Sequence, residues 1–233
     1  MVSTSGALKV AVGVPAAILV LTHLKSLPLA YTLRSWWLLR ALVKRAKARN
    51  LEPEPLFSTV AQEHRCLYDD IDYNQHMNNG MYNKVLDFTR IQLLYVLFPR
   101  VMMEPKHYIF CHNAGVLTLF RKEIPPLANY TIQSRVWTWN EKWVWLQHRF
   151  ILTDEPNKPV ACIAVSKLVF KKTSGKTVPP HQVFELCDHD LSDPAIEERR
   201  KHNWEIASNL LKIDALVDDP YDWDTQLLPA AKL

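Results

Sequence analysis

The spacing of hydrophobic and polar positions changes twice along the chain. From about Asn79 to Phe98 the apolar residues recur at helical spacing, which predicts a long amphipathic helix that ends at Pro99. Before this helix, residues 59–69 read as a strand. Four further strand-like runs follow it, at Tyr108–Lys122, Tyr130–Asn140, Trp143–Leu152 and Pro159–Lys171. Because short turns separate the four runs, they are expected to form an antiparallel sheet.

A second helix is predicted after the strands. Asp193 can cap its N-terminus and Pro194 can occupy its first position, and the helix is expected to reach about Lys212. The element order predicts an α+β fold in which an antiparallel sheet of about five strands wraps a long central helix. One sheet covers one side of that helix, so a second copy of the chain is expected to cover the other side and the sheet edges. The expected state is therefore a homodimer or a higher homo-oligomer.

Charge and proline divide the chain into three segments. Residues 1–51 contain eight of the 28 basic residues and no acid, which leaves 20 basic and 24 acidic residues in 52–233. The first acids and two prolines mark a boundary at residues 52–55. We therefore expect an N-terminal hydrophobic and basic helical segment (1–51), a folded domain (52–212) and an acidic C-terminal tail (213–233). The mildly acidic domain argues against a nucleic-acid-binding surface.

The N-terminal segment is typical of a membrane attachment. Residues 10–24 carry no formal charge, a further apolar stretch precedes Arg34, and Trp36 and Trp37 suit the membrane interface. The segment can span the membrane, or it can lie on the surface as a basic amphipathic helix. Because the basic excess follows the apolar run, the folded domain is expected to face the cytosol.

Other destinations remain open from the sequence. An acid-free, arginine-bearing N-terminus is also typical of a mitochondrial transit peptide, whereas no convincing cleavage site supports a secretory signal peptide. The chain ends Ala231-Lys232-Leu233, a conservative variant of the Ser-Lys-Leu peroxisomal address.

The spacing of glycine and cysteine excludes several kinds of chemistry. The five glycines form neither a dinucleotide-binding motif nor a P-loop, and no cofactor is expected. The four cysteines are far apart and never form C-x-x-C, which indicates buried, reduced thiols rather than a zinc or redox site. They are Cys66, Cys111, Cys162 and Cys187.

The densest set of reactive side chains lies in the polar turn before the long helix. Asp72, Asn74 and His76 alternate, so an extended or looped backbone can bring them to one side. Asp72 can attack an acyl carbonyl or activate water, with Asn74 and His76 orienting the carbonyl or the water. The helix start near Asn79 and Gly80 can donate N–H groups to the oxygen that gains charge.

Two less specific interpretations stand beside the catalytic one. Asp and Asn residues before a helix are commonly caps, and a histidine in a turn commonly has no special role. A metal site formed by Asp70, Asp72 and His76 is disfavoured, because no second cluster lies at ligand spacing.

A family resemblance strengthens the catalytic interpretation. The block Asp70-x-Asp72-x-x-x-His76-Met-Asn78-Asn79-x-x-Tyr82 resembles the signature of hot-dog-fold thioesterases. Its central part, DYNQHMNN, is similar to the motif of acyl-acyl-carrier-protein thioesterases, and the whole block is of the 4-hydroxybenzoyl-CoA thioesterase type. Over most of residues 50–212 the chain is similar to thioesterase superfamily member six-like proteins.

The resemblance implies a dimeric hot-dog domain that hydrolyses fatty acyl thioesters of CoA or of an acyl-carrier protein at the subunit interface. It implies that Asp72 is the nucleophile or base and that Asn74 and His76 are its helpers. Substrate contacts are implied for Asn78, Asn79, Gly80 and Tyr82. The alternative is a membrane-tethered hot-dog protein that binds acyl groups or acyl-CoA without turnover. The longer signature of hot-dog hydratases and dehydratases is absent from the sequence.

Overall fold

A computed structural model of the 233-residue chain describes residues 4–218. The strands are β1 (Val60–Arg65), β2 (Ile109–Phe120), β3 (Asn129–Trp139), β4 (Trp143–Leu152), β5 (Val160–Lys172) and β6 (Thr177–Val178). The helices are α1 (Thr4–Thr22), α2 (Ala30–Ala48), α3 (Asn79–Leu97), α4 (Pro99–Met103), α5 (Pro180–Leu186) and α6 (Pro194–Ala207). Four short 3-10 helices lie at Leu24–Ser26, Tyr68–Asp70, Pro105–His107 and Ser208–Asp218.

All the strand pairs are antiparallel, in the order β1-β3-β4-β5-β2, and β6 pairs with the end of β5. This sheet packs against α3, which confirms the predicted α+β hot-dog fold. Helix α3 begins at Asn79 as predicted and ends at Leu97, one residue earlier than predicted. The four predicted strands after α3, β2 to β5, lie within two residues of their predicted bounds.

Several local predictions were wrong. The first strand ends at Arg65 rather than at residue 69, because Tyr68–Asp70 form a 3-10 helix. The short strand β6 and the helices α4 and α5 were not predicted; each is too short to show a clear period. The last helix ends at Ala207, where a 3-10 helix takes over, although Asp193 caps its start as expected, with its Oδ1 accepting from the Ala195 N–H at 2.9 Å.

The core lies between α3 and the inner face of the sheet. Leu86, Leu93 and Leu97 on α3 are fully buried, as their helical spacing predicts. Alternate residues of β4 face the helix, among them Leu146 and Phe150. A smaller cluster holds α6 against the sheet: Trp137, Trp145 and Ala207 are buried, and Trp204 packs on Trp145 with 5.1 Å between ring centroids. These packing contacts position α3, and so they fix where its N-terminus lies.

Helix α2 covers part of the face of α3 that the sheet leaves open. The ring of Tyr31 lies 5.2 Å from that of Phe88, and the Arg34 guanidinium lies 4.5 Å above the same Phe88 ring. This face was expected to be covered by a second copy of the chain; the chain's own N-terminal segment covers part of it instead. The predicted homo-oligomer itself is not tested by the single chain.

The membrane and targeting predictions fall mostly outside what the structure tests. Over the part of the chain that it describes, no helix combines the length and hydropathy needed to cross a membrane. The C-terminal Ala231-Lys232-Leu233 lies outside the described residues. Helix α1 contains Pro15, and its described side chains, which begin at Gly13, are largely exposed.

Candidate active site

The loop before α3 folds back on itself as a tight turn. Ile71 and Met77 form an isolated antiparallel bridge, and the Asp72 N–H donates to the His76 carbonyl at 3.1 Å. Inside this bridge the Gln75 N–H donates to the Asp72 carbonyl at 3.1 Å, with Gln75 in the left-handed region at φ 64°. Asp72 and His76 therefore lie across from each other at the base of the turn. We call residues 67–78 the site loop.

Two backbone hydrogen bonds hold the base of the site loop in place. The Met77 N–H donates to the Ile124 carbonyl at 2.9 Å, which ties the loop to the connection between β2 and β3. The Asn78 N–H donates to the Asp70 carbonyl at 2.8 Å, which closes the loop on itself. The segment that carries Asp72 and His76 is therefore fixed on both sides.

The three predicted catalytic residues take different positions in this turn. Asp72 is half-buried at the base, and its Oδ1 accepts from the Asn74 N–H at 2.9 Å, in the manner of an Asx turn. Asn74 lies exposed at the tip. The structure thus pairs the backbones of Asp72 and His76 at the base of the turn, whereas Asn74 contacts Asp72 through its N–H and has an exposed side chain at the tip.

An open cleft of about 300 Å³ lies beside His76. The His76 Nε2 is 3.8 Å from the Glu123 Oε1, and its Nδ1 is 3.3 Å from the Met77 carbonyl. Residues of α3 form two further walls of the cleft. Residues of β2 and of the connection from β2 to β3 form the remaining walls. The lining side chains include His76, Asn79, Tyr82, Phe120, Arg121 and Glu123. Asp72 does not line this cleft, although it is across the turn from a residue that does.

The N-terminus of α3 opens onto the same cleft. The Asn78 side chain caps the helix, because its Oδ1 accepts from the Gly80 N–H at 2.8 Å. A Cβ at Gly80 would lie 3.2 Å from that oxygen, so glycine allows the close cap. The Asn79 N–H donates to no acceptor within residues 4–218, as expected for the first turn of a helix. Asn79 is therefore the residue of this turn that can offer an N–H to a ligand in the cleft.

Tyr82 forms an apolar wall. It is buried, and its ring packs against Phe120 at 5.0 Å and Phe150 at 4.9 Å between centroids. Burial raises the pKa of its hydroxyl far above the ordinary value. The ring thus shapes the cleft, and its phenol is kept in the neutral form.

Sequence reasoning missed the residues that β2 and its following connection supply. Arg121, Lys122 and Glu123 read as the polar end of a strand, and only the packing of β2 on α3 brings them to His76. The Lys122 Nζ pairs with Glu155 at 2.5 Å, whereas Arg121 is exposed. Two cations followed by an acid beside a turn gave no signal in the sequence that separates them from ordinary surface residues.

The cysteines take no part in this cleft. All four are free in the structure; Cys66, Cys162 and Cys187 are buried as predicted, and Cys111 is half-buried. Burial raises the pKa of the Cys111 thiol to about 12, so it is a poor candidate for a nucleophile. Among the residues that the structure describes, no group of three His, Cys, Asp or Glu side chains is arranged to hold a metal ion.

Comparison with known proteins gives the following matches. The sequence profile of the Thioesterase-like superfamily matches residues 66–186, which is more than half of the chain. The chain is 29% identical over 177 residues to the protein named Probable thioesterase YBR096W of Saccharomyces cerevisiae, with 72% of this chain and 76% of that protein covered. It is 24% identical over 203 residues to Protein THEM6 of Danio rerio, with 83% of this chain and 95% of that protein covered. The crystal structure of YbaW, a probable thioesterase from Escherichia coli, superposes with a TM-score of 0.49 at 21% identity, covering 54% of this chain and 92% of that one.

Proposed function

The chain belongs to the Thioesterase-like superfamily and is a thioester hydrolase, and from this premise we propose that it hydrolyses fatty acyl-CoA thioesters at the cleft beside the site loop. One observation carries the proposal: a carboxylate and an imidazole share the base of a turn that ends at a helix N-terminus open to a cleft. Acyl transfer needs these two parts, a group that attacks or activates water and a donor for the oxyanion.

The proposed reaction assigns a role to each of these groups. The Asn79 N–H donates to the thioester carbonyl oxygen, and the partial positive charge of the α3 N-terminus stabilises the charge that this oxygen gains. The Asp72 carboxylate either attacks the carbonyl carbon, giving an acyl anhydride that water then cleaves, or takes a proton from the attacking water. His76 orients the carbonyl or the water. Both routes consume one water and release a carboxylic acid and a thiol.

The cationic end of the cleft favours CoA as the carrier. Arg121 is exposed at the mouth, and Lys122 lies next to it. Guanidinium and ammonium groups are suited to phosphate, and CoA carries several phosphates. A carrier protein presents one phosphate on its prosthetic arm, and it is the alternative that the assay below also includes.

We propose that a second copy of the chain closes the cleft along β2. This strand pairs with β5 on one side, and no strand pairs with its other side within residues 4–218. Phe110, Leu117, Leu119 and Phe120 on β2 are exposed. Phe120 also lines the cleft, so a strand or helix from a partner at this edge would complete the wall beside His76.

We propose attachment to membranes through the N-terminal segment. The exposed large apolar side chains between residues 14 and 37 include Leu21, Leu29 and Trp37, and Arg40 and Lys47 follow them in α2. Exposed apolar groups next to cations are suited to anionic lipid. The full chain should float with vesicles that contain anionic lipid. If the chain instead stays in the soluble fraction at every lipid composition, this proposal is contradicted.

The test of the reaction is acyl-CoA hydrolysis by the full chain over a series of acyl lengths, with Asp72→Asn as the matched control. Turnover that is lost in Asp72→Asn while the melting temperature is unchanged supports the proposal. Equal, negligible rates in both proteins, with CoA and with carrier-protein substrates, would overturn it. Tight acyl-CoA binding in that case would favour the alternative, a binding protein without turnover.

A further inference from the structure

The N-terminal segment contacts the site loop at Asp70, a buried acidic residue of that loop. We propose that Lys25 is a positioning residue of the enzyme, which acts through Asp70 to hold the site loop in the conformation that presents Asp72 and His76. The inference rests on the proposed function, because it concerns the same loop. It makes residues before the folded domain a part of the catalytic unit rather than only an attachment.

The contact has a defined geometry. The Lys25 ammonium forms an ion pair with the Asp70 carboxylate, and it donates to the Arg65 carbonyl at 2.6 Å. The neighbouring Ser26 N–H donates to the Asp69 carboxylate at 2.7 Å. Two successive residues of the segment thus bind two successive acids at the start of the site loop.

Asp70 lies where it controls the shape of the whole loop. Its Oδ2 accepts from the Leu67 N–H at 2.9 Å, and its carbonyl accepts from the Asn78 N–H at 2.8 Å. These two bonds connect the first and the last residue of the site loop. Asp72 and His76 lie on the stretch between them, so a shift of Asp70 moves both.

The burial of Asp70 makes Lys25 necessary. The Asp70 side chain is fully buried, and the Lys25 side chain is 11% exposed. A buried carboxylate without a counter-charge is strongly disfavoured, and it moves toward water when its partner is removed. Lys25 is the only cation in an ion pair with Asp70 among the residues of the described range, so no other group can replace it without rearrangement.

The segment is also supported independently of this ion pair. The ring of His23 stacks near that of Tyr68, with 6.5 Å between centroids, and Tyr31 packs on Phe88 of α3. Loss of the Lys25 charge should therefore release the loop locally while the rest of the segment stays docked. That difference separates a positioning role from a general role in stability.

The test compares Lys25→Met, Lys25→Arg and Lys44→Met in the full chain. Lys44 is exposed on α2, so its variant removes the same charge from the same segment. We expect Lys25→Met to lower kcat about tenfold with KM changed less than about twofold, because a small misplacement of catalytic groups acts on the chemical step. Lys25→Arg should recover most of kcat, and Lys44→Met should match the native chain. Equal kcat values for Lys25→Met and Lys44→Met would overturn the proposal.

A double variant and a second readout separate the role of Lys25 from a loss of folding and from a failure of the proposed reaction. In an Asp70→Asn background, Lys25→Met should lower kcat no further; an additional tenfold loss there would overturn the proposal. Hydrogen exchange of amides in residues 67–78 should speed up in Lys25→Met and not in Lys44→Met. This exchange readout needs no turnover. Absence of hydrolysis by the native chain would therefore overturn the proposed function, whereas unchanged exchange would overturn the role of Lys25.

Discussion

Two sets of polar side chains lie against the central helix, and they are built in opposite ways. At the N-terminus of α3, Asp72 and His76 are half-buried at the base of a turn beside an open cleft. Under the middle of α3, four side chains form a buried polar row: Ser134, His148, Ser166 and Arg90. The first set has polar atoms that a ligand can reach, and the second has none.

Each member of the buried polar row is bonded to the next. The Ser134 Oγ lies 2.6 Å from the His148 Nδ1, the His148 Nε2 lies 3.0 Å from the Ser166 Oγ, and that oxygen accepts from Arg90 at 3.1 Å. Arg90 also pairs with Asp87 at the surface. A serine and a histidine in contact are therefore not a sign of catalysis here. We therefore expect the incompletely bonded set to carry chemistry and the complete one to provide rigidity.

The largest effect that tests this comparison is a loss of stability from the buried polar row. His148→Ala should lower the free energy of unfolding by about 3 kcal/mol, because it leaves a cavity and removes a partner from two buried hydroxyls. Turnover per folded molecule should stay within about twofold of the native chain. Urea unfolding and active-site titration measure the two quantities. A large loss of kcat with unchanged stability would reverse the roles of the two sets.

The second effect is the converse at the site loop. His76→Ala should lower kcat/KM about 100-fold, which corresponds to about 2.7 kcal/mol of transition-state stabilisation, while the midpoint of urea unfolding stays unchanged. Tyr73→Ala is the matched control, because Tyr73 is on the same turn and 90% exposed. If both variants lose activity equally, the whole turn and not its base carries the reaction.

The third effect is a pH dependence that comes from the buried polar row. Burial, together with the nearby Arg90, lowers the pKa of His148 to about 3 from its ordinary 6.5. Between pH 6.5 and pH 3 the unfolded chain thus binds a proton at His148, whereas the folded chain keeps His148 neutral. The free energy of unfolding must therefore fall as the pH drops through this range. The loss should be about 2 kcal/mol by pH 5.

His148→Gln isolates this contribution. The difference in unfolding free energy between pH 7 and pH 5 should be smaller in His148→Gln than in the native chain. It should not vanish, because burial also lowers the pKa of His64, to about 4, and that of His189. Carboxylates whose pKa is lowered, such as Glu197, lose their contribution only below their ordinary value. Equal pH dependence in both proteins would show that His148 is not the group that titrates.

The sequence allowed the sheet and α3 to be predicted, because burial on one face imposes a period that extends over many residues. Leu86, Leu93 and Leu97 repeat at helical spacing and are all buried. The motif also predicts where the candidate site lies, and that assignment stays a prediction. Its internal geometry was left open between an extended and a looped backbone, and the structure shows a loop, in which Gln75 adopts a left-handed conformation and Asn74 lies exposed at the tip.

What sequence patterns missed are pairings between distant residues. Lys25 and Asp70 are 45 positions apart, and each alone reads as an ordinary charged residue. Glu123 lies in the connection after β2 and His76 lies in the site loop, so no local spacing connects the two. Such contacts depend on how the N-terminal segment and β2 pack against the rest of the domain, and one-dimensional periodicity carries no information about that packing.

The smallest expected effect concerns the mouth of the cleft, where substitutions of two neighbouring cations can be compared. Arg121→Ala should raise KM for acyl-CoA about threefold with kcat unchanged, since an exposed charge pair contributes less than about 1 kcal/mol. Lys122→Ala should raise it less, because the Lys122 ammonium already pairs with Glu155. The Arg121 effect should shrink as salt is added, because an exposed phosphate contact is screened. A lower kcat in Arg121→Ala would instead place that guanidinium at the reacting carbonyl, and the division between a site loop that reacts and a mouth that only binds would then fail.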